Sequence, residues 1–303
     1  MYFTSLPDHT APGFDETLHF SRFKKSNIIF NAVSNNSQCD EHIGCLSFKT
    51  VFSGEEWYGI NNHQVALRPG QFLVLNNDQP YACYSNKGET LKVLSLFFKE
   101  AFAASVLRNA MVTEAALLDD PFTNGEKIPE FYQSLHNLPP ALQNRLSALV
   151  STLDNPGYDD MLADEQLVLI LHHLIETLKA DTRQLKNVQA LKPATQKEVY
   201  KRLCIAKDML QSSYMHHLDL PAIGNGACLS VPQLVRQFKA VFHITPHQYL
   251  MQIRLQRAAE KLQNSNMPTH EIAWQCGFHN TSAFCRAFRS AYGLQPLAFR
   301  NEI

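Results

Sequence analysis

One pattern occurs twice in the last third of the chain. Setting "LVRQFKAVFHITPHQY" (234–249) over "FCRAFRSAYGLQPLAF" (284–299) brings Leu234 onto Phe284, Arg236 onto Arg286 and Phe238 onto Phe288. Lys239 then meets Arg289, Phe242 meets Tyr292, Pro246 meets Pro296 and Tyr249 meets Phe299. Upstream the register shifts by one, and Ile223 meets Ile272, Gly224 meets Ala273 and Leu229 meets Phe278. The second copy therefore has a turn one residue longer. Each copy reads as a short helix, a tight turn and a second helix. In the second copy Ala273 is small where two helices cross, and Gly277 permits a positive φ at the end of the first helix. Phe284 and Phe288, one turn apart, mark the buried face of the second helix. Thr281, Ser282, Cys285, Arg286 and Arg289 are left for the outside.

Between the copies lies "TPHQYLMQIRLQRAAEKLQ". Thr245 is placed to cap a helix there, with Pro246 at its first position. About 17 helical residues span roughly 26 Å, enough to hold two second helices about one turn of DNA apart. The charge is divided to match. Residues 191–303 carry 13 Lys and Arg against 6 Asp and Glu, and the rest carries 14 against 22, which a net charge of −1 conceals. A basic third beside an acidic remainder points to a polyanionic partner. A helix presenting small polar residues and arginine fits the major groove, where Arg can grip a guanine edge with two hydrogen bonds.

The stretch "EIAWQCGFHNTSAFCRAFRSAYGLQPLAFR" (271–300) runs E-I-A, then G-F, then S-x-F-x-R-x-F-R, then G and P. The first copy agrees through "LSVPQLVRQFKAVFHITPHQYLMQIRLQRAAEKL". On these residues the chain from about 197 to 301 resembles the AraC/XylS family of bacterial transcription regulators. The resemblance implies that helices 231–241 and 281–291 enter neighbouring major grooves of double-stranded DNA. It points to Pro232, Gln233, Val235 and Arg236 in the first as readers, and to Thr281, Ser282, Cys285 and Arg286 in the second. Lys239 and Arg289 are expected on phosphates, which position without specifying sequence. It implies an activator acting through contact with RNA polymerase. Two departures stand out. Gly224 and Gly226 fall inside the first supporting helix, where each glycine costs about 1 kcal/mol against alanine, so the first motif is expected to be the looser. His243 replaces Gly293, and a left-handed turn there suits histidine less well.

Residues 20–100 read as β: "CLSFKTVFSG", "QVALRPGQFLVLNN" and "TLKVLSLFF" are β-prone runs between turn signals, as in a sandwich or small barrel. From 126 the character is helical, through "PPALQNRLSALVSTL" and "DDMLADEQLVLILHHLIETLKAD". In the latter, Leu167, Ile170, Leu171, Leu174, Ile175 and Leu178 form one apolar face, suited equally to a core or to a second copy of the chain. The polar stretch 179–195 marks a boundary. Beyond it Thr195 and Glu198 suggest a capping box. The segment "LRPGQFLVLNNDQPYACYS" is similar to the family's cupin-like effector domain. The expected architecture is thus α+β in two domains. Residues 1–185 form a cupin-like effector-binding and dimerisation domain, with a β-barrel over about 20–105 and helices over about 128–180. A linker spans 186–195. Residues 196–303 form the DNA-binding domain, with helix-turn-helix motifs at about 219–242 and 269–291 joined by helix 246–263. Trp57, Tyr58, Phe72, Tyr81 and Tyr84 are expected to line an effector pocket or, failing that, to fill the barrel core.

Other classes are disfavoured. No run of 18 apolar residues occurs, which argues against a membrane span, and no basic start precedes an apolar stretch, so a cytoplasmic protein is expected; the helices at about 128–180 are expected to make it a homodimer. Seven cysteines lack any C-x-x-C spacing and read as reduced thiols. Cys228 and Cys285 lie close to the DNA-facing elements, which keeps thiol-redox control as an alternative. His63 has no cluster of histidines around it and position 81 is Tyr. Hence no metal, cofactor or catalytic residue is expected, and a cupin metalloenzyme fused to a DNA-binding domain is the weakest alternative. The effector is not named: no acidic pattern suggests a sugar, and Arg68 alone among the barrel strands does not suggest an organic acid.

Overall fold

The short apolar runs of the N-terminal half become strands because both faces of most of them are covered. The computed structural model describes residues 1–7, 13–86, 88–111, 129–155, 157 and 160–301. Its strands are β1 (Tyr2–Phe3), β2 (Ile28–Ser34), β3 (Gln38–Ile43), β4 (Ser47–Ser53), β5 (Glu56–Ile60), β6 (His63–Leu67), β7 (Gln71–Leu75), β8 (Pro80–Ser85), β9 (Leu91–Phe97) and β10 (His136–Asn137). Six of them form a sheet in the order β1-β2-β9-β4-β7-β10, and four form a second in the order β3-β8-β5-β6. No ladder joins the two sheets among the described residues, so the expected barrel is two sheets and is not closed. The six-stranded sheet ends in β1 and β10, two residues each and too short to carry pairing onward.

Alternation along the strands sorts side chains between two cores. Phe48, Phe72, Val74, Leu94 and Leu96 pack against helices. Val51, Leu73, Leu75, Leu91 and Val93 pack with Tyr58, Ile60, Val65, Leu67 and Tyr81 of the four-stranded sheet. The helices of this half are α1 (Glu16–Ser21), α2 (Glu100–Met111), α3 (Pro140–Leu153) and α4 (Asp160–Leu185). Helix α2 corrects the barrel limit of 105: strand β9 ends at Phe97, and Ala103, Val106 and Leu107 recur at helical spacing and are buried. The expected onset of helix at 126–128 lies outside the described residues, and the expectation of helix from 128 fails over 129–139, which carries β10 on the edge of the six-stranded sheet; helix begins only at Pro140. The apolar stripe of α4 is core, since Leu167, Ile170, Leu171, Leu174 and Ile175 are buried in the cluster that holds Phe48 and Phe72.

The chain divides into two compact units, Met1–Arg183 and Gln184–Ile303. The second is helical throughout: α5 (Pro193–Ser212), α6 (Leu220–Gly226), α7 (Val231–Phe242), α8 (Pro246–Asn264), α9 (Thr269–Gln275), α10 (Thr281–Tyr292) and α11 (Pro296–Asn301). Helix α5 opens two residues before the expected capping box. Lys192 is its N-cap, without a side-chain cap bond, and Pro193 stands in the first turn. Thr195 is therefore inside the helix, and Glu198 pairs instead with Arg202 at 2.8 Å. Helix α8 begins at Pro246 with Thr245 as its N-cap, as the sequence suggests, and Thr245 forms a full capping box with Gln248.

The two helix-turn-helix units repeat the same backbone bonds. Leu229 N–H donates to Gly224 O at 2.8 Å, and Phe278 N–H to Ala273 O at 2.9 Å. His243 N–H donates to Lys239 O and Gly293 N–H to Arg289 O, both at 2.9 Å. Both turns in each unit need a left-handed residue. The second unit supplies Gly277 (φ 80°) and Gly293 (φ 78°), the first Cys228 (φ 52°) and His243 (φ 63°). A side chain in that region costs roughly 1–2 kcal/mol. The first unit's own glycines sit in α6. A Cβ on Gly224 would stand 2.7 Å from the Leu229 carbonyl oxygen, whereas one on Gly226 would meet only the flexible end of Met209. These two glycines should respond oppositely. Gly224→Ala should lower the thermal midpoint. Gly226→Ala should hold or raise it, by up to about 1 kcal/mol of helix propensity. Calorimetry of both variants checks this, and a shared sign would contradict the assignment.

Candidate nucleic-acid interface and ligand cavity

Helices α7 and α10 are each fixed by one face. In α7, Leu234, Phe238 and Val241 are buried. The buried Gln237 amide also accepts from Gln189 N–H and donates to Gln189 O, both at 3.0 Å. In α10, Phe284 and Phe288 are fully buried, their ring centroids 5.5 Å apart. They belong to the same cluster as Leu255, Ala258 and Leu262 of α8 and Ile272 and Ala273 of α9.

The opposite faces carry the residues singled out from sequence. Pro232, Arg236 and Lys239 are exposed, with Gln233 and Val235 half-buried beside them. Thr281, Ser282, Arg286 and Arg289 are exposed, with Cys285 half-buried. Asn280 caps α10 by accepting from Ala283 N–H at 3.0 Å. Thr281 and Ser282 thus stand at a helix N-terminus, whose partial positive charge favours an anion.

Four arginines of this unit are engaged by its own groups, and four cations on α7 and α10 are not. Arg202 pairs with Glu198 and Arg257 with Glu260. Arg254 donates to Tyr214 O and His216 O, and Arg300 to Leu262 O and Met267 O. Those four hold the fold. Arg236, Lys239, Arg286 and Arg289 have no hydrogen bond or ion pair among the described residues. Cys228 is exposed in the left-handed turn before α7.

The N-terminal unit holds a cavity of about 550 Å³ lined from both sheets, with Phe30, Lys49, Glu56, Tyr58, Tyr81 and Phe97 among its walls. Of the five aromatic residues expected in a pocket, Tyr58 and Tyr81 line it. Trp57 does not, because it alternates with Tyr58 along β5. It pairs with Tyr84 across β8, the two rings 6.4 Å apart and nearly parallel. Phe72 lies in the helix-facing core, stacked between Phe48 and His136. Arg68 pairs with Glu55. No group of three or more His, Cys, Asp or Glu suited to a metal occurs among the described residues.

Sequence reasoning passed over the cavity's two charged groups, Lys49 and Glu56. Glu56 is buried and accepts from Tyr58 Oη–H at 2.6 Å and Ser37 Oγ–H at 3.0 Å. Its pKa is raised by burial, against the pull of those bonds and of Lys49. Lys49 is 3% exposed, and its ammonium lies 3.5 Å from the Phe97 ring centroid and 5.5 Å from that of Tyr81. Burial brings its pKa down from 10.5 to about 8, partly countered by Cys83, Glu56, Cys45 and Cys39. The unfolded chain therefore holds the extra proton between about 8 and 10.5. The penalty Lys49 places on folding is full below pH 8 and fades as pH rises to 10.5. A side-chain NMR titration of full-length protein should show one lysine with a midpoint near 8, lost in Lys49→Met; a midpoint near 10.5 for every lysine would contradict this.

Residues 223–302 match the family described as "Helix-turn-helix domain". The chain is 25% identical over 181 residues to the probable transcriptional regulator LumQ of Photobacterium leiognathi, covering 59% of this chain and 68% of LumQ. It is 30% identical over 146 residues to the HTH-type transcriptional activator RhaR of Salmonella heidelberg, covering 47% of this chain and 48% of RhaR. Among solved structures, the C-terminal domain of AraT, a response regulator from Geobacillus stearothermophilus, is 28% identical with a TM-score of 0.33, over 34% of this chain and 85% of that one. No helix among the described residues is long and apolar enough to cross a membrane. The repeated motif, its signature residues and the match over 223–302 identify a helix-turn-helix DNA-binding domain of the AraC type, as found in transcriptional regulators.

Proposed function

We propose that α7 and α10 are the two recognition helices of a cytoplasmic, sequence-specific regulator that acts as an activator through contact with RNA polymerase. One observation carries this reading: four cations without partners lie on the outer faces of two repeated helices whose inner faces are core. In it, Arg236 and Arg286 read bases with Pro232, Gln233, Val235, Thr281, Ser282 and Cys285 around them, and Lys239 and Arg289 hold phosphates. Helix α8, 19 residues long and so about 28 Å, sets the two helices one turn of DNA apart. The DNA-binding domain is taken as 196–303, after a linker at 186–195.

The N-terminal half, 1–185, is read as a cupin-like domain whose cavity takes a small-molecule effector and performs no catalysis. Its two facing sheets and the polar groups converging on a largely apolar cavity support this. The effector acts by binding one arrangement of the protein more tightly than another. The reading includes a homodimer. Because the stripe of α4 is buried within one chain, the dimer must use another face.

Binding to a selected operator and to unrelated duplexes at one stated salt concentration tests the assignment. Arg286→Ala should cost about 1–3 kcal/mol at the specific site and relax base preference there. Lys239→Ala should weaken all sequences alike. An Arg286→Ala loss equal on every sequence would contradict base reading by α10.

A further inference from the structure

The cavity between the sheets contains a cation that nothing among the described residues neutralises at contact distance. Lys49 sits on β4, paired on one side to β9 through Ser95 and on the other to β7 through Leu73. Its residue is 3% exposed. Its ammonium meets the faces of Phe97 and Tyr81, and no ion pair or hydrogen bond to it exists among the described residues. Glu56, the carboxylate that lines the same cavity, is already held by Tyr58 and Ser37. Cation–π contact offsets part of the desolvation of an ammonium, and the ammonium itself opens onto the cavity. An incoming acceptor of opposite charge can therefore reach its N–H groups and form a charge-assisted hydrogen bond there.

The rest of the wall limits what can bring that acceptor. Phe23, Phe30 and Phe97 form one packed aromatic group beside Lys49, with Phe23 and Phe97 rings 4.6 Å apart and Phe30 and Phe97 rings 5.8 Å apart. These rings offer an apolar seat and no second cation. Among the described residues the cavity wall contains Lys49 but no arginine or further lysine, with His19 and His42 as its other basic side chains, so Lys49 is its one ammonium to give to an anion. Glu56 on the far strand disfavours a second anionic group by like-charge repulsion.

We propose that this cavity binds a small organic monoacid, with its carboxylate on the Lys49 ammonium and an aromatic body against Phe23, Phe30 and Phe97. The inference rests on the reading of the cavity as the effector site and supplies its ligand class. The cavity volume of about 550 Å³ falls in the range of small-molecule sites. Lys49 acts as the anchor and the discriminator, because an uncharged isostere leaves the ammonium unrelieved.

Calorimetric titration of the full-length protein at pH 7 with benzoate, phenylacetate and 3-phenylpropanoate, each beside its carboxamide, tests this. At least one acid should bind tenfold or more tightly than its amide. Lys49→Met, checked for folding by circular dichroism, should lose that preference, and Lys49→Arg should keep a part of it. If no acid binds, or if amides match their acids in the wild type, the monoacid inference is overturned; the second result leaves the cavity as a ligand site. The acid–amide contrast needs no variant, so a misfolded Lys49→Met does not blunt the test. DNA affinity measured with and without the bound acid separates the two readings. Selective acid binding that leaves DNA affinity unmoved upholds the monoacid site and contradicts its role as effector site.

Discussion

The DNA-facing half of the molecule depends on aromatic and aliphatic side chains buried one helical turn apart. Phe284 and Phe288 lock α10 against α8 and α9, and Leu234 and Phe238 do the same for α7. Burying such side chains is worth about 1.5–3 kcal/mol each, which fixes the rotation of each helix about its axis. Rotation in turn decides which residues face out. Arg236 and Arg286 stand two positions after the first buried residue of each pair, and Lys239 and Arg289 one position after the second. The inner and outer faces are therefore one constraint: any shift in core packing turns the cations away from the outer face.

The two units reach the same backbone path by unequal means. The second places glycines at both left-handed turns, and the first places Cys228 and His243 there while holding its glycines in α6. Gly224 is explained by steric approach to the Leu229 carbonyl; Ala273 stands at the corresponding point of the second unit. The first unit compensates with ties the second lacks. Gln237 is clamped to Gln189, where the second unit has Ala287, and Asp219 caps α6 by accepting from Ala222 N–H at 2.7 Å, where α9 has Pro268. Local preferences are weaker in the first unit, and polar contacts specific to it make up part of the difference.

Much of the C-terminal half was legible because the repeat supplies its own internal control. A buried position in one copy is checked by its counterpart, and Thr245 with Pro246 marks a helix start on chemistry alone. The N-terminal half was less legible because its strands are buried on both faces. In β4 and β7 nearly every residue is buried, so alternation does not announce which side faces the cavity. Trp57 and Tyr58 are neighbours in sequence but lie on opposite faces of β5. The opening of α5 was missed because Pro193 sets the first turn and leaves Thr195 inside the helix. Lys49 did carry a signal: a lysine in the middle of "CLSFKTVFSG" has no way out of a central strand, and such a residue is either paired or poised for a ligand.

The central claim is that both repeated helices read sequence from one rigid face. Selection of binding sites from random DNA by the full-length protein, at stated salt, tests it most directly. Two short preferred blocks about ten base pairs apart are the predicted result, one for each recognition helix held by α8. A single preferred block would contradict the account, since it would reduce one of the two helices to a grip on the phosphate backbone.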